Sequence, residues 1–427
     1  MPRPSPLTAP LWWLYQLVCA VLLFVVGPFF LLSRGRHYRQ SVRGRLGFET
    51  PVGPVRTGGL WLHAVSVGEA GVAATLARAL PRDEPALVTT ITPTGQEQAR
   101  KSFGGRCAVT YLPFEFGYAV RRLFHRHAPR ALVLIEGDLW PLVLRRAGRL
   151  GVPVVVVNGR VSDRGFPRLR RVRWLARPLL LEPVRHFGVQ TSLDRDRLVA
   201  VGVAPERITV TGNLKYETPE PTAAPELYAQ LQALAAGRPI LVAGSTMAGE
   251  ETAVLDAFAA LGPGRALLVL APRHKDRWDA VATELRQRNL AFQRRSRFEG
   301  SGGTDVVLLD SYGELAGVYR LARGAFIGGT LVPTGGHNPL EPALFGIPVV
   351  VGPAMDNFRE MAEEFDREQA WARVTGAAEL AECFRGWLDD PAAAKLLGQR
   401  GRGLIERNRG ALERTAELLA RHLGAPA

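Results

Sequence analysis

Several acidic residues stand where short apolar runs end. The string Gly59-Leu-Trp-Leu-His-Ala-Val-Ser-Val-Gly-Glu69 reads as a strand running into a small-residue turn that opens a helix, with Glu69 exposed by the turn. A carboxylate at such a strand end can take a proton from a hydroxyl when burial raises its pKa toward neutrality. It can equally sit in the first turn of a helix for the sake of the helix dipole alone. Glu136 and Asp138, within Ile135-Glu-Gly-Asp-Leu-Trp-Pro141, follow a second buried run. Two acids placed there can orient an acceptor or stabilise positive charge developing on a sugar. As a metal pair they lack a clear third ligand, and helix N-capping accounts for Asp138 equally well.

Basic and glycine-rich turns form the second set. Arg160 and Lys215 follow apolar runs as candidate phosphate ligands, the alternative being solvated surface charges. Gly244-Ser245-Thr246 ends a strand ahead of a helix start whose amides can bind phosphate, and Arg273 follows Pro272 after the next strand. Gly328-Gly329-Thr330 is followed by Pro333-Thr-Gly-Gly-His-Asn-Pro-Leu-Glu-Pro342, which gathers glycines, an amide and a carboxylate into one turn. There Glu341 can accept both hydroxyls of a ribose, while preceding amides meet phosphate. His337 also has a purely structural reading. A Walker A string and a GxGxxG in its dinucleotide setting are absent, which disfavours a P-loop kinase or a dehydrogenase.

These turns need a scaffold of strands, and the chain supplies two series. The first is Gly59–Val65, Ala86–Thr90, Ala131–Ile135, Val152–Val157 and His186–Gln190; the second is Pro239–Ala243, Ala266–Leu270, Asp305–Leu309, Gly324–Ile327 and Pro348–Val351. Each alternates with helical stretches, so the fold class is α/β, with two Rossmann-like domains facing a cleft. The Pro-, Thr- and Glu-rich stretch from Glu217 marks the linker, and Arg402–Leu423 reads as one amphipathic helix. The expected boundaries are 1–46 for an anchor and basic segment, 47–216 and 237–401 for the domains, 217–236 for the linker and 402–427 for the terminal helix. A length of 427 residues suits two domains, and 47% hydrophobic with 22% charged residues excludes a disordered chain.

From Leu11 to Leu32 the chain is apolar apart from Gln16. That is enough for the ~20 residues of a membrane helix. Five arginines from Arg34 to Arg45 follow it against Arg3 before it, which places the bulk of the chain on the cytoplasmic side. Gly27 and Pro28 interrupt the segment, so a helix lying in the interface is the rival. A net charge of +14 implies an anionic partner, whether membrane lipid, nucleic acid or a phosphorylated substrate; no nucleic-acid motif is present, and the anchor favours acidic lipid. Cys19, Cys107 and Cys383 are scattered, giving neither a disulfide framework nor a zinc knuckle.

The strings Trp61-Leu-His-Ala-Val-Ser-Val-Gly-Glu69, Gly212-Asn-Leu-Lys215, Gly244-Ser-Thr246, Pro272-Arg-His274 and Gly335-Gly-His-Asn-Pro-Leu-Glu-Pro342, in this order, resemble the bacterial 3-deoxy-D-manno-octulosonic acid (Kdo) transferase family over nearly the whole chain. The resemblance implies a GT-B fold with an N-terminal membrane helix, and inverting transfer of Kdo from CMP-Kdo to the lipid A precursor at the inner membrane. It implies no cofactor and no metal. Glu69 resembles the family's catalytic base. Glu136 or Asp138, with Lys215, resemble positions that support the transition state. Pro272, Arg273, the turn Tyr312, Gly313, Glu314, Leu315, and Asn338, Pro339, Leu340 and Glu341 resemble the CMP pocket. Arg160, Gly244, Ser245, Thr246, Gly336 and His337 are candidate donor or phosphate contacts.

Two departures from the family pattern are present. Glu136-Gly137-Asp138 stands where Glu-Thr-Glu is usual, leaving open which acid acts, and Met247 stands where histidine is common. The alternatives are a GT-B transferase using a UDP- or GDP-sugar, and an anchored lipid-binding protein whose acids are structural.

Overall fold

A computed structural model describes residues 8–22, 25, 39–48, 51–81, 84–217, 221, 223–298 and 303–423. The chain forms two units, Met1–Glu217 with Asn408–Ala427, and Thr218–Arg407. The first is built on β1 (Leu60–His63), β2 (Pro85–Thr90), β3 (Ala108–Tyr111), β4 (Ala131–Ile135), β5 (Val154–Gly159), β6 (His186–Val189) and β7 (Ile208–Val210), in the order β3-β2-β1-β4-β5-β6-β7. Every pairing is parallel. Runs such as Ala-Leu-Val-Leu-Ile in β4 are buried throughout, because helices cover both faces of a parallel sheet.

The second unit repeats the plan with β8 (Ile240–Thr246), β9 (Leu267–Pro272), β10 (Phe292–Arg294), β11 (Val306–Leu308), β12 (Ala322–Ile327), β13 (Val349–Val351) and β14 (Ala372–Arg373), in the parallel order β10-β11-β9-β8-β12-β13-β14. In each sheet the order reverses between two central strands, β1 and β4 or β8 and β12. Parallel α/β sheets bind ligands outside the carboxyl ends of the strands at such a point.

Three expectations change. Within 217–236, expected to be linker, residues Pro225–Ala235 form a helix whose Leu227 and Leu231 are fully buried in the second unit. The expected single terminal helix is two, Pro391–Asn408 and Ala411–Leu423, broken at Gly410, whose φ of +78° no continuing helix adopts. The last helix belongs to the first unit, where Ala411, Leu418 and Leu419 join Leu214, Val133 and Val155 in one core. Its apolar stripe finds partners there.

Among the described residues no helix is long and apolar enough to cross a membrane. Helix Thr8–Val21 covers the first part of the expected span, while residues 23–24 and 26–32 of it lie outside the described residues, as do Arg34 and Arg36. The helix does not stand free: Trp12 is 7% exposed and joins the first unit's core. Leu17, Val18, Val21, Leu22 and Val25 remain exposed.

Candidate functional site

Glu69 lies in the first turn of helix Val67–Leu76, directly beyond β1. Its Oε2 accepts the Val65 amide at 2.7 Å and its Oε1 accepts the Ser66 hydroxyl at 3.0 Å, while Ser66 Oγ accepts the Glu69 amide at 3.4 Å. This reciprocal cap fixes the side chain in a buried position, 9% exposed. Burial raises its pKa to about 7, with the charges of Glu136 and Asp138 adding to the rise and the Val65 and Ser66 hydrogen bonds opposing it. A carboxyl so placed exchanges its proton near neutral pH. Helix capping and a titration near neutrality thus fall on one residue.

Glu136 follows β4 and has φ of +63°, a left-handed conformation rarely taken by a glutamate. Its neighbours hold it there. Lys215 Nζ lies 2.7 Å from its Oε1, the Asn158 amide donates to the same oxygen at 3.4 Å, and its backbone N–H reaches Val157 O at 2.9 Å. Asn158, fully buried, also accepts the Leu214 amide on Oδ1 at 2.8 Å. One side chain thus ties Glu136 to the residue preceding Lys215. The protein around the Asp138 carboxyl raises its pKa, although the residue as a whole keeps solvent contact. The Arg160 amide approaches Glu136 O at 3.4 Å, so its backbone borders the same turn.

In the second unit, Arg273 follows β9 and its amide donates to Thr246 O at 2.9 Å. Glu341 sits in the single-turn helix Leu340–Ala343, whose Leu340 amide is received by Asn338 Oδ1 at 3.1 Å. Burial holds Glu341 above the usual carboxylate range, opposed by a hydrogen bond from Asn338 and by the charge of Arg273. Burial, with the charges of Arg273 and His274, presses His337 down to about 4, so the ring is neutral at physiological pH. Arg273, His337, Asn338 and Glu341 therefore share one electrostatic neighbourhood. Pro272 O accepts the Trp278 indole N–H at 3.3 Å, and the Trp278 ring lies 5.3 Å from that of the exposed Tyr312. Beside it Glu314 is clasped by Arg295 at 2.9 Å and by Ser311, which fixes the turn Tyr312–Leu315.

Several expected phosphate donors are already engaged. The amides of Gly329, Thr330 and Leu331 donate to Glu250 at 2.6, 2.8 and 2.8 Å, and the Gly336 amide donates to Gly329 O at 2.7 Å. Ser245 is half-buried, whereas Thr246 is fully buried with its hydroxyl lacking a hydrogen-bond partner. A Cβ at Gly244 would lie 1.9 Å from the Tyr319 hydroxyl, so the glycine serves packing as well. An open cavity of about 860 Å³, lined by Gln232, Arg238, Arg323 and Lys395 among others, lies at the opposite, amino-terminal edge of this sheet and contains none of these residues. Among the described residues no three His, Cys, Asp or Glu side chains are grouped to hold a metal ion.

Comparison with known proteins bears on this geometry. A family model described as 3-deoxy-D-manno-octulosonic-acid transferase matches residues 40–218, the stretch that carries Glu69, Glu136, Asp138 and Lys215. The 3-deoxy-D-manno-octulosonic acid transferase of Haemophilus influenzae is 33% identical over 420 residues, covering 95% of this chain and 97% of that protein. This chain belongs to the Kdo transferase family. The Bordetella pertussis transferase is 34% identical, with 97% of each chain covered. A solved structure described as the glycotransferase of kitacinnamycin covers 86% of this chain at 14% identity and a TM-score of 0.50, a likeness that bears on fold alone.

Two residues that shape these turns escape sequence reasoning. Asn158 ends an apolar run like many loop residues, and only its fully buried amide between Glu136 and Leu214 reveals a role. Glu250 opens the helix after β8, and nothing local tells that it gathers amides from a turn some eighty residues later.

Proposed function

We propose that this transferase moves Kdo from CMP-Kdo to a hydroxyl of the phosphorylated lipid A precursor, with inversion and without a metal ion, on a GT-B fold. The observation that carries the reading is Glu69, lifted to about 7 beside the Glu136–Lys215 pair at the carboxyl ends of the central strands. Glu69 as carboxylate takes the acceptor hydroxyl proton while the oxygen forms its bond to the anomeric carbon. The bond from that carbon to the CMP phosphate breaks, and CMP leaves with the electron pair. Lys215 and Arg273 offset the phosphate charge that appears, and Glu136 or Asp138 favours positive charge on the sugar. Pro272, Arg273, Tyr312–Leu315 and Asn338–Glu341 contact CMP. The ribose hydroxyls donate to Glu341.

The chain works at the cytoplasmic face of the inner membrane, held through its N-terminal segment. Exposed Leu17, Val18, Val21, Leu22 and Val25 support contact with lipid, and the net charge of +14 suits an acceptor carrying phosphates. The test is transfer from freshly generated CMP-Kdo to purified lipid A precursor with chelator present, followed by mass spectrometry. A mass increase of one or more Kdo units, inhibited by CMP and not by UDP, is expected. Inhibition by UDP alone would transfer the assignment to another donor.

A further inference from the structure

Helix Pro141–Leu150 begins directly after the turn that carries Glu136 and Asp138. Its N-cap residue, Trp140, provides no side-chain hydrogen bond. Glu115, from the loop beyond β3, takes over: Oε2 accepts the Leu142 amide at 2.7 Å and Oε1 the Val143 amide at 3.3 Å. The same Oε2 accepts the Tyr15 hydroxyl of helix Thr8–Val21 at 2.7 Å. A second tie joins the same two helices, since the Arg145 guanidinium lies 4.3 Å from the centre of the buried Trp12 ring. One carboxylate therefore connects the N-terminal helix with the helix that leaves the site turn.

We propose that Glu115 is a positioning residue for the transfer reaction, and that through Tyr15 it couples the seating of the N-terminal helix to the placement of Glu136 and Asp138. The first amides of a helix have no partner within it, and buried ones left without an acceptor loosen the first turn. That turn is the continuation of Glu136–Trp140, whose left-handed Glu136 persists only because its surroundings impose it. Loosening moves Glu136 away from Lys215 and relieves Glu69 of two neighbouring negative charges. Burial holds Glu115 itself above the usual carboxylate range, with the Leu142, Tyr15 and Val143 hydrogen bonds opposing, so its charged form depends on all three donors. The inference rests on the Kdo-transfer reading for its assay.

The experiment measures kcat, KM for both substrates and the pH profile of the full-length protein in lipid vesicles, with melting and CMP affinity measured in parallel. Glu115→Ala is expected to lower kcat roughly 10-fold to 100-fold while KM for CMP-Kdo and CMP affinity stay near wild type. Tyr15→Phe lowers kcat about threefold, and Glu115→Gln, which keeps one accepting oxygen, falls between. In Glu115→Ala the acidic limb of kcat also moves to lower pH, because Glu136, Asp138 and, through Glu136, Lys215 are the charges arrayed beside Glu69. A purely structural role lowers melting and the active fraction but leaves that limb in place, and this result overturns the proposal. Wild-type kcat in folded Glu115→Gln and Tyr15→Phe overturns it even if Glu115→Ala fails to fold. An inactive wild type overturns the transfer reading and this inference with it, whereas active wild type with unaffected variants overturns the inference alone.

Discussion

Glu69 and Glu250 occupy the same place in their respective sheets. Each lies in the first turn of the helix that follows a central strand, β1 or β8, at the point where strand order reverses. Their surroundings differ in the number of donors. Glu250 is fully buried and accepts four amides, from Met247, Gly329, Thr330 and Leu331. Glu69 accepts one amide and one hydroxyl and faces two further carboxyls. The two carboxyls beside Glu69 disfavour its charged form, adding to the effect of burial. The second unit thus uses its carboxylate to tie a glycine turn to a helix, while the first leaves its carboxylate able to exchange a proton.

Exchanging one atom at each position separates these uses. Glu69→Gln keeps an accepting oxygen for Val65 yet cannot take a proton, so kcat for Kdo transfer falls about 100-fold to 10,000-fold while unfolding and CMP affinity stay as in wild type. Glu250→Gln leaves one accepting oxygen where four amides share two. It lowers stability of the second unit by about 3 kcal/mol, read from urea unfolding, with CMP affinity lost as the unit unfolds. Equal effects of the two substitutions on kcat and stability would erase the contrast. Lys215→Met removes the partner of Glu136 without disturbing the Glu69 cap, and kcat drops roughly 10-fold in steady-state assays.

The central strands and the first unit's half of this contrast were legible in the sequence, whereas the edge strands and the long-range contacts were not. Ala131–Ile135 was placed to the residue, because a central parallel strand buried on both faces is a continuous apolar run. The strands that escaped, Ala108–Tyr111, Ile208–Val210, Phe292–Arg294 and Ala372–Arg373, are the four sheet edges. Edge strands are short and pair on one side, so their composition blends into the loops. The turns bearing Glu69, Glu136 and Lys215 announced themselves by following apolar runs. The engagement of Gly329 and Thr330 with Glu250, and of Glu115 with Leu142 and Tyr15, depends on long-range contacts that carry no local signature. The return of helix Ala411–Leu423 to the first unit is a further case, since an amphipathic stripe shows that a partner exists but does not identify it.

Burial and acidic neighbours hold Glu69 near neutrality. The most direct test is kcat for Kdo transfer from about pH 5 to about pH 9 in wild type and Glu136→Gln. Below its pKa the base is protonated and silent, so wild-type kcat falls as pH drops through about 7. Removing the Glu136 charge lowers the pKa of Glu69, so the midpoint in Glu136→Gln moves to lower pH by less than about one unit. A wild-type rate that is flat through pH 7, or a midpoint that moves upward in Glu136→Gln, would contradict the account.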